Sequence, residues 1–167
     1  SQEVQLLRES TFGLSHFGLA YGVGYSGHFY HGNLHIDVSA DGSQTLQNLD
    51  GEAYLSNRLA AEYVDGVLEF RYRSAANNKG RYNRFYVGAI AGYRVDSYAY
   101  LQTEDYRVKF YNIGGFSTLR YGAYLKAGRG PFNLYYYYGL NPIVESGVLV
   151  LELGAATSQN IGLSITL

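Results

Sequence analysis

The segment Asn160-Ile161-Gly162-Leu163-Ser164-Ile165-Thr166-Leu167 alternates apolar with small or polar residues at every step. Successive side chains of a β-strand point to opposite faces. Ile161, Leu163, Ile165 and Leu167 therefore share one face, and Asn160, Gly162, Ser164 and Thr166 share the other. The same pattern occupies Phe17-Gly18-Leu19-Ala20-Tyr21-Gly22-Val23-Gly24-Tyr25. A greasy face backed by a small, polar one suits a strand whose apolar side meets lipid while its other side fills the inside of a narrow closed barrel.

Composition narrows the choice. The 167 residues suffice for one domain. Gly (21) and Tyr (19) are abundant, Pro occurs twice and Trp is absent. Tyr can keep its ring in lipid and its hydroxyl in water, so without Trp it has to form the whole aromatic girdle. A net charge of −1 lacks the Lys/Arg excess that a phosphate backbone demands, and nucleic acid is not an expected partner. The mean hydropathy of −0.17 is ordinary, which a barrel tolerates because only alternate residues need be apolar. Val148-Leu149-Val150-Leu151 is the longest aliphatic run, far short of the ~20 residues of a spanning helix. Without Cys there is no disulfide, thiolate metal site or thiol nucleophile. Met is absent even at position 1, and Ser1-Gln2-Glu3 reads as the first segment after removal of a signal peptide.

The pattern predicts a polar tail over 1–10, then strands at 11–25, 28–39, 52–63, 67–74, 83–100, 116–128 and 132–142, and a closing strand. Ser26-Gly27, Asp41-Gly42-Ser43, Asp65-Gly66 and Asn77-Asn78-Lys79-Gly80 punctuate them as turns. Residues 101–113 and 143–156 read as the longest loops. The expected fold is all-β: a closed antiparallel up-and-down transmembrane β-barrel of about eight strands, one domain over 11–167. An even strand number puts both termini on one side.

With these registers Arg58, Glu62, Glu69, Arg71, Arg73, Arg94, Asp96, Arg120 and Lys126 face inward, as do His35 and Asp37. An eight-stranded barrel holds little beyond its own side chains. Charges enclosed there must pair, so the set reads as a structural salt-bridge plug rather than a conducting path. Inward Gly18, Gly22, Gly88, Gly92 and Gly122 make room for Arg and Tyr from neighbouring strands. His31, His35 and Asp37 share a face, which leaves a metal site or an acid–base pair conceivable, but spacing alone does not assemble three converging ligands. No metal, cofactor or catalytic residue is expected. Ser15 and His16, as neighbours, point to opposite faces. Gly22-Val23-Gly24 lacks the helix and Gly-Lys-Ser/Thr of a phosphate loop. Tyr135 to Tyr138 divide between lipid and interior.

Phe85-Tyr86-Val87-Gly88-Ala89-Ile90-Ala91-Gly92-Tyr93, Tyr121-Gly122-Ala123-Tyr124, the run from Gly130 to Leu140 and the Gly162-Leu163-Ser164 ending resemble the small outer-membrane barrels of Bacteroidota-type bacteria. The likeness covers roughly the last half of the chain and carries no catalytic motif. Barrels of this kind usually end in an aromatic, whereas this chain ends in Leu167. The resemblance implies a bacterial outer-membrane location among lipid and lipopolysaccharide. A lone narrow barrel with no obvious pocket reads, in turn, as a non-enzymatic structural or accessory subunit of a larger complex of outer-membrane proteins. Two readings compete: a lipid-modifying enzyme with Ser, His and a carboxylate near the outer rim, and a soluble ligand-binding barrel of opposite polarity. A designed barrel is disfavoured by the irregular strand lengths. Polarity discriminates: the membrane reading needs Leu34, Phe70, Leu125 and Ile165 outside and Arg71 and Arg94 inside.

Overall fold

The computed structural model describes residues 1–13, 16–32, 34–39, 44–49, 54–78, 80–143 and 157–166. Among them there is no helix. Ten strands are present: β1 (Gln2–Thr11), β2 (Phe17–His31), β3 (Leu34–Val38), β4 (Gln44–Asn48), β5 (Ser56–Arg73), β6 (Asn83–Gln102), β7 (Arg107–Tyr111), β8 (Leu119–Arg129), β9 (Phe132–Pro142) and β10 (Thr157–Ile165). Seven form a continuous antiparallel sheet in the order β1-β2-β5-β6-β8-β9-β10, curled into a half-barrel. β7 pairs with the end of β6, and β3 with β4 makes a separate hairpin.

The C-terminal ends of β1, β5 and β8 and the N-terminal ends of β2, β6 and β9 mark the lower end of the sheet. Gly13, Gly80 and Gly130 there take φ of 60°, 70° and 63°, a left-handed backbone that glycine adopts without steric cost. The longer connections, carrying the β3–β4 hairpin and β7, gather at the upper end. Six antiparallel steps separate β1 from β10, so these two edge strands run in the same direction.

Several sequence expectations change. The expected tail is β1, ten residues in register with β2 from Gln2↔Gly27 to Thr11↔Gly18. Its polar look arises because Glu3, Gln5 and Glu9 fill the concave face. Ser26-Gly27 and Asp65-Gly66 are not turns but lie inside β2 and β5. Asp65 is buried and accepts a 2.6 Å hydrogen bond from Ser26 Oγ, and Gly66 is paired on both sides, with Val23 and Ala91. Two flanking ladders outweigh the local turn preference of Asp-Gly. The expected loop 101–113 contains β7. The punctuation at 41–43, Lys79, most of the loop 143–156 and Leu167 lie outside the described residues.

The concave face is filled in two tiers. Below, Val67, Ile90, Tyr124 and Tyr137 pack with Leu7 and Tyr135 among charged groups. Above, Ala61, Tyr63 and Phe116 pack with Tyr30, Leu59 and Ile143, while Ile36 of β3 joins Ala99 and Ile113. Burying each such large apolar side chain contributes about 1.5–3 kcal/mol.

The convex face is apolar and exposed. Register aligns Leu19, Phe70, Val87 and Leu125 across its middle. Below them, Phe17 faces Tyr72, which faces Phe85; above, Tyr25 faces Val64, which faces Tyr93. Phe17 stacks on Phe70 with centroids 5.6 Å apart. Phe70, Leu125 and Ile165 are 45%, 42% and 66% exposed, whereas Arg71 is 7% exposed. The side chain of Leu34 lies outside the described residues.

Candidate functional site

Alternation along β5 puts Asp65, Val67, Glu69, Arg71 and Arg73 on the concave face, and Val64, Leu68, Phe70 and Tyr72 on the convex one. Glu69 has no exposed surface and is the hub of the lower tier. Its carboxylate accepts from Arg71 Nε at 2.5 Å, Tyr124 Oη at 2.7 Å and Lys126 Nζ at 2.8 Å. Arg71 also donates to Glu9 Oε2 at 2.5 Å, and Arg73 grips both oxygens of Glu9. Arg73 Nε reaches Tyr86 Oη at 3.1 Å, and the Arg71 guanidinium lies 5.0 Å from the Tyr86 ring centroid. Enclosed charges are tolerated only when paired and hydrogen-bonded, and this network meets that condition for Glu69.

A second group lies higher. Arg120 stacks over Tyr137 and Tyr63 at 4.9 and 5.4 Å, contacts Asp65 at 3.4 Å and donates to His28 Nε2. Arg120 Nε is buried without a hydrogen-bond partner among the described residues. Arg94 donates to the carbonyl oxygens of Phe116, at 2.8 Å, and Ile113, pulling that segment down over the upper tier.

Of the nine charged residues predicted to face inward, Glu69, Arg71, Arg73, Arg94, Arg120 and Lys126 occupy the concave face, and Arg58, Glu62 and Asp96 the convex one. Reading Asp65-Gly66 as a turn resets the alternation, which wrongly turns Arg58 and Glu62 inward; β5 is one uninterrupted strand. Asp96 is displaced by a β-bulge. Glu62 faces Asp96 while Tyr63 faces Arg94, so Val95 is the extra residue and parity switches there. Glu62 accepts from Tyr25 on the outside, and Arg58 lies 5.8 Å from the centroid of the Phe29 ring. Nearby, Lys109 of β7 sits over the rings of Tyr98 and Tyr111 at 4.1 and 4.5 Å, and its hydrogen bond with Tyr111 raises its pKa.

Glu9, Arg84 and Tyr86 belong to the concave set and were not singled out from sequence; recognising 1–10 as a strand would have added Glu9. The inward glycines do make room. A Cβ at Gly88 would run into the Tyr124 ring, one at Gly122 into Tyr137 and one at Gly92 into Asp65. The histidines are scattered: His28 is buried beside Arg120, His35 packs near Phe110 with Nδ1 3.3 Å from Asn57 Oδ1, and His31 is exposed. The side chain of Asp37 and all of Ser15 lie outside the described residues. No group of three or more His, Asp or Glu placed to hold a metal occurs among the described residues.

A cavity of about 740 Å³ lies on the concave side, lined by β1 and β10 and floored by Arg71, Arg120 and Lys126. Above it the Tyr30–Phe116 stack, with centroids 6.1 Å apart, and the upper tier leave a void of only about 20 Å³. The cavity therefore opens sideways, between the two edge strands. Comparison of the chain with family models, curated proteins and solved structures found no match.

Proposed function

We propose that this half-barrel is the wall of a small transmembrane β-barrel in a bacterial outer membrane, acting without catalysis or an open pore as a structural or accessory subunit of a larger outer-membrane assembly. The observation that carries this reading is the inverted polarity of the sheet. Charges are gathered and paired on the concave face, while Phe70, Val87, Leu125, Leu163 and Ile165 lie bare on the convex one. A water-soluble barrel has the reverse arrangement, and so large an exposed apolar surface needs lipid or protein to cover it.

Two details support it. Phe85 to Tyr93, between the lower and upper aromatic rows, spans nine residues, the length a tilted membrane strand of about 9–11 residues uses. The polar Glu62–Asp96–Lys109 group lies above the upper row, where headgroups and water begin. The plugged upper tier favours a space-filling role over conduction. An accessory role follows because a narrow barrel of this kind offers its partners chiefly a wall and its upper loops.

The experiment is cell fractionation followed by electrophoresis with and without heating. The expected result is a heat-modifiable band in the outer-membrane fraction that co-purifies, after mild detergent extraction, with larger outer-membrane proteins. A chain that stays in solution without detergent overturns the membrane reading, and a solitary monomer overturns the accessory role. Altered lipid A or phospholipid masses in expressing cells would favour the enzymatic competitor.

A further inference from the structure

We propose that the seam between β1 and β10 receives one extended strand from another outer-membrane protein, running antiparallel to both edges. The outward chemistry assigned to this strand rests on the membrane reading above; its direction rests on the sheet alone.

Direction comes first. β1 and β10 run the same way, and neither has a strand partner on its outer edge among the described residues. Direct closure would create a parallel seam in an otherwise antiparallel sheet. One inserted strand of opposite sense continues the antiparallel ladder on both sides and brings the wall to eight strands. A second copy does not supply it. Copies inserted the same way up in a membrane present edges that run parallel to these.

Size and chemistry define the occupant. β1 and β10 are ten and nine residues long, so the guest is a strand of about that length. On the outer face the seam is bordered by Leu6, Ile161 and Leu163, the last two 78% and 88% exposed, so the guest presents apolar residues outward. Inward, the described concave face holds Arg71, Arg73, Arg84, Arg94, Arg120 and Lys126 against Glu3, Glu9, Asp65 and Glu69, an excess of two positive charges. Arg120, 93% buried by its 7% exposure, lines the cavity with Nε unpartnered among the described residues. Asn160, Gly162 and Ser164 leave space beside it. The guest therefore alternates apolar residues with small or acidic ones.

The probe is a synthetic peptide copying Tyr63–Tyr72 with Val67→Ser and Arg71→Ser, so that Val64, Leu68 and Phe70 lie on one side and Asp65, Glu69 and the two serines on the other. The full chain is refolded in detergent and titrated with labelled peptide. Because the chain has no cysteine, single variants report direction. A peptide with a C-terminal cysteine is expected to cross-link Val4→Cys and Gln159→Cys, toward the upper end, at least ten-fold faster than Ser10→Cys and Ile165→Cys. A peptide with Asn and Gln in place of its two acids is expected to bind at least ten-fold more weakly. Failure to bind, the reverse cross-linking order, or equal binding of the amide peptide overturns the proposal. So does a disulfide formed within one chain between Leu6→Cys and Leu163→Cys, or exclusion of the peptide by residues ahead of Ser1 in the mature protein. Solubility without detergent would overturn the membrane reading and leave the cross-linking order to decide the seam.

Discussion

Replacing Glu69 by Gln leaves Arg71 and Lys126 facing a fully buried group that no longer carries charge. Breaking a buried ion pair by removing one partner costs about 3–5 kcal/mol. Tyr124→Phe removes only one hydrogen bond to that carboxylate, a loss of about 1.5–3 kcal/mol. Glu62→Gln, on the convex face, is expected to change stability by less than about 1 kcal/mol. Denaturant unfolding in detergent ranks the three, and equal effects at positions 62 and 69 would contradict the division of faces. Gly122→Ala is a second residue-scale case. Its new Cβ meets the Tyr137 ring and the backbone carbonyl of Tyr138, and overpacking of this kind costs about 1–3 kcal/mol. Combining it with Tyr137→Leu is expected to recover part of that loss.

At the scale of the strand, the bulge at Val95 separates two kinds of deletion. Removing Val95 leaves Arg94 inward, Asp96 outward and Ser97 inward, because the extra residue is the one withdrawn. Removing Val87, eight positions earlier, slips the register by one and turns every residue on one side of the cut to the other face. The first variant is expected to refold in detergent with a heat-modifiable band and the second is not. The same parity argument explains what was legible in the sequence. Residues 85–94, 119–126 and 160–165 alternate without interruption, and there Arg94, Arg120 and Lys126 fall on the concave face as their parity predicts. Position 65 was misread because Asp-Gly resembles a hairpin whenever its flanking partners, Gly24 and Gly92, are unknown. Position 96 was misread because nothing local marks a bulge. Glu9 was missed because β1 carries polar residues on one face and only Val4 and Leu6 as apolar markers on the other.

For the whole molecule, the curl of the sheet sorts side chains more sharply than any local preference. The lower tier is held by ions and the upper tier by rings, and the sideways cavity separates the edges rather than the ends. On the membrane reading, with the long connections facing out, the seven-strand path of the described sheet has a consequence for topology. Ser1 stands at the rim that carries the long connections, and Thr166 emerges beside Pro131 at the rim of tight turns, through a 2.9 Å hydrogen bond to its carbonyl. In a cell envelope, a protease-cleavable reporter fused ahead of Ser1 would be shaved from intact bacteria. One fused beyond Thr166 would survive until the envelope is permeabilised, so on the membrane reading Ser1 and Thr166 would lie in separate compartments.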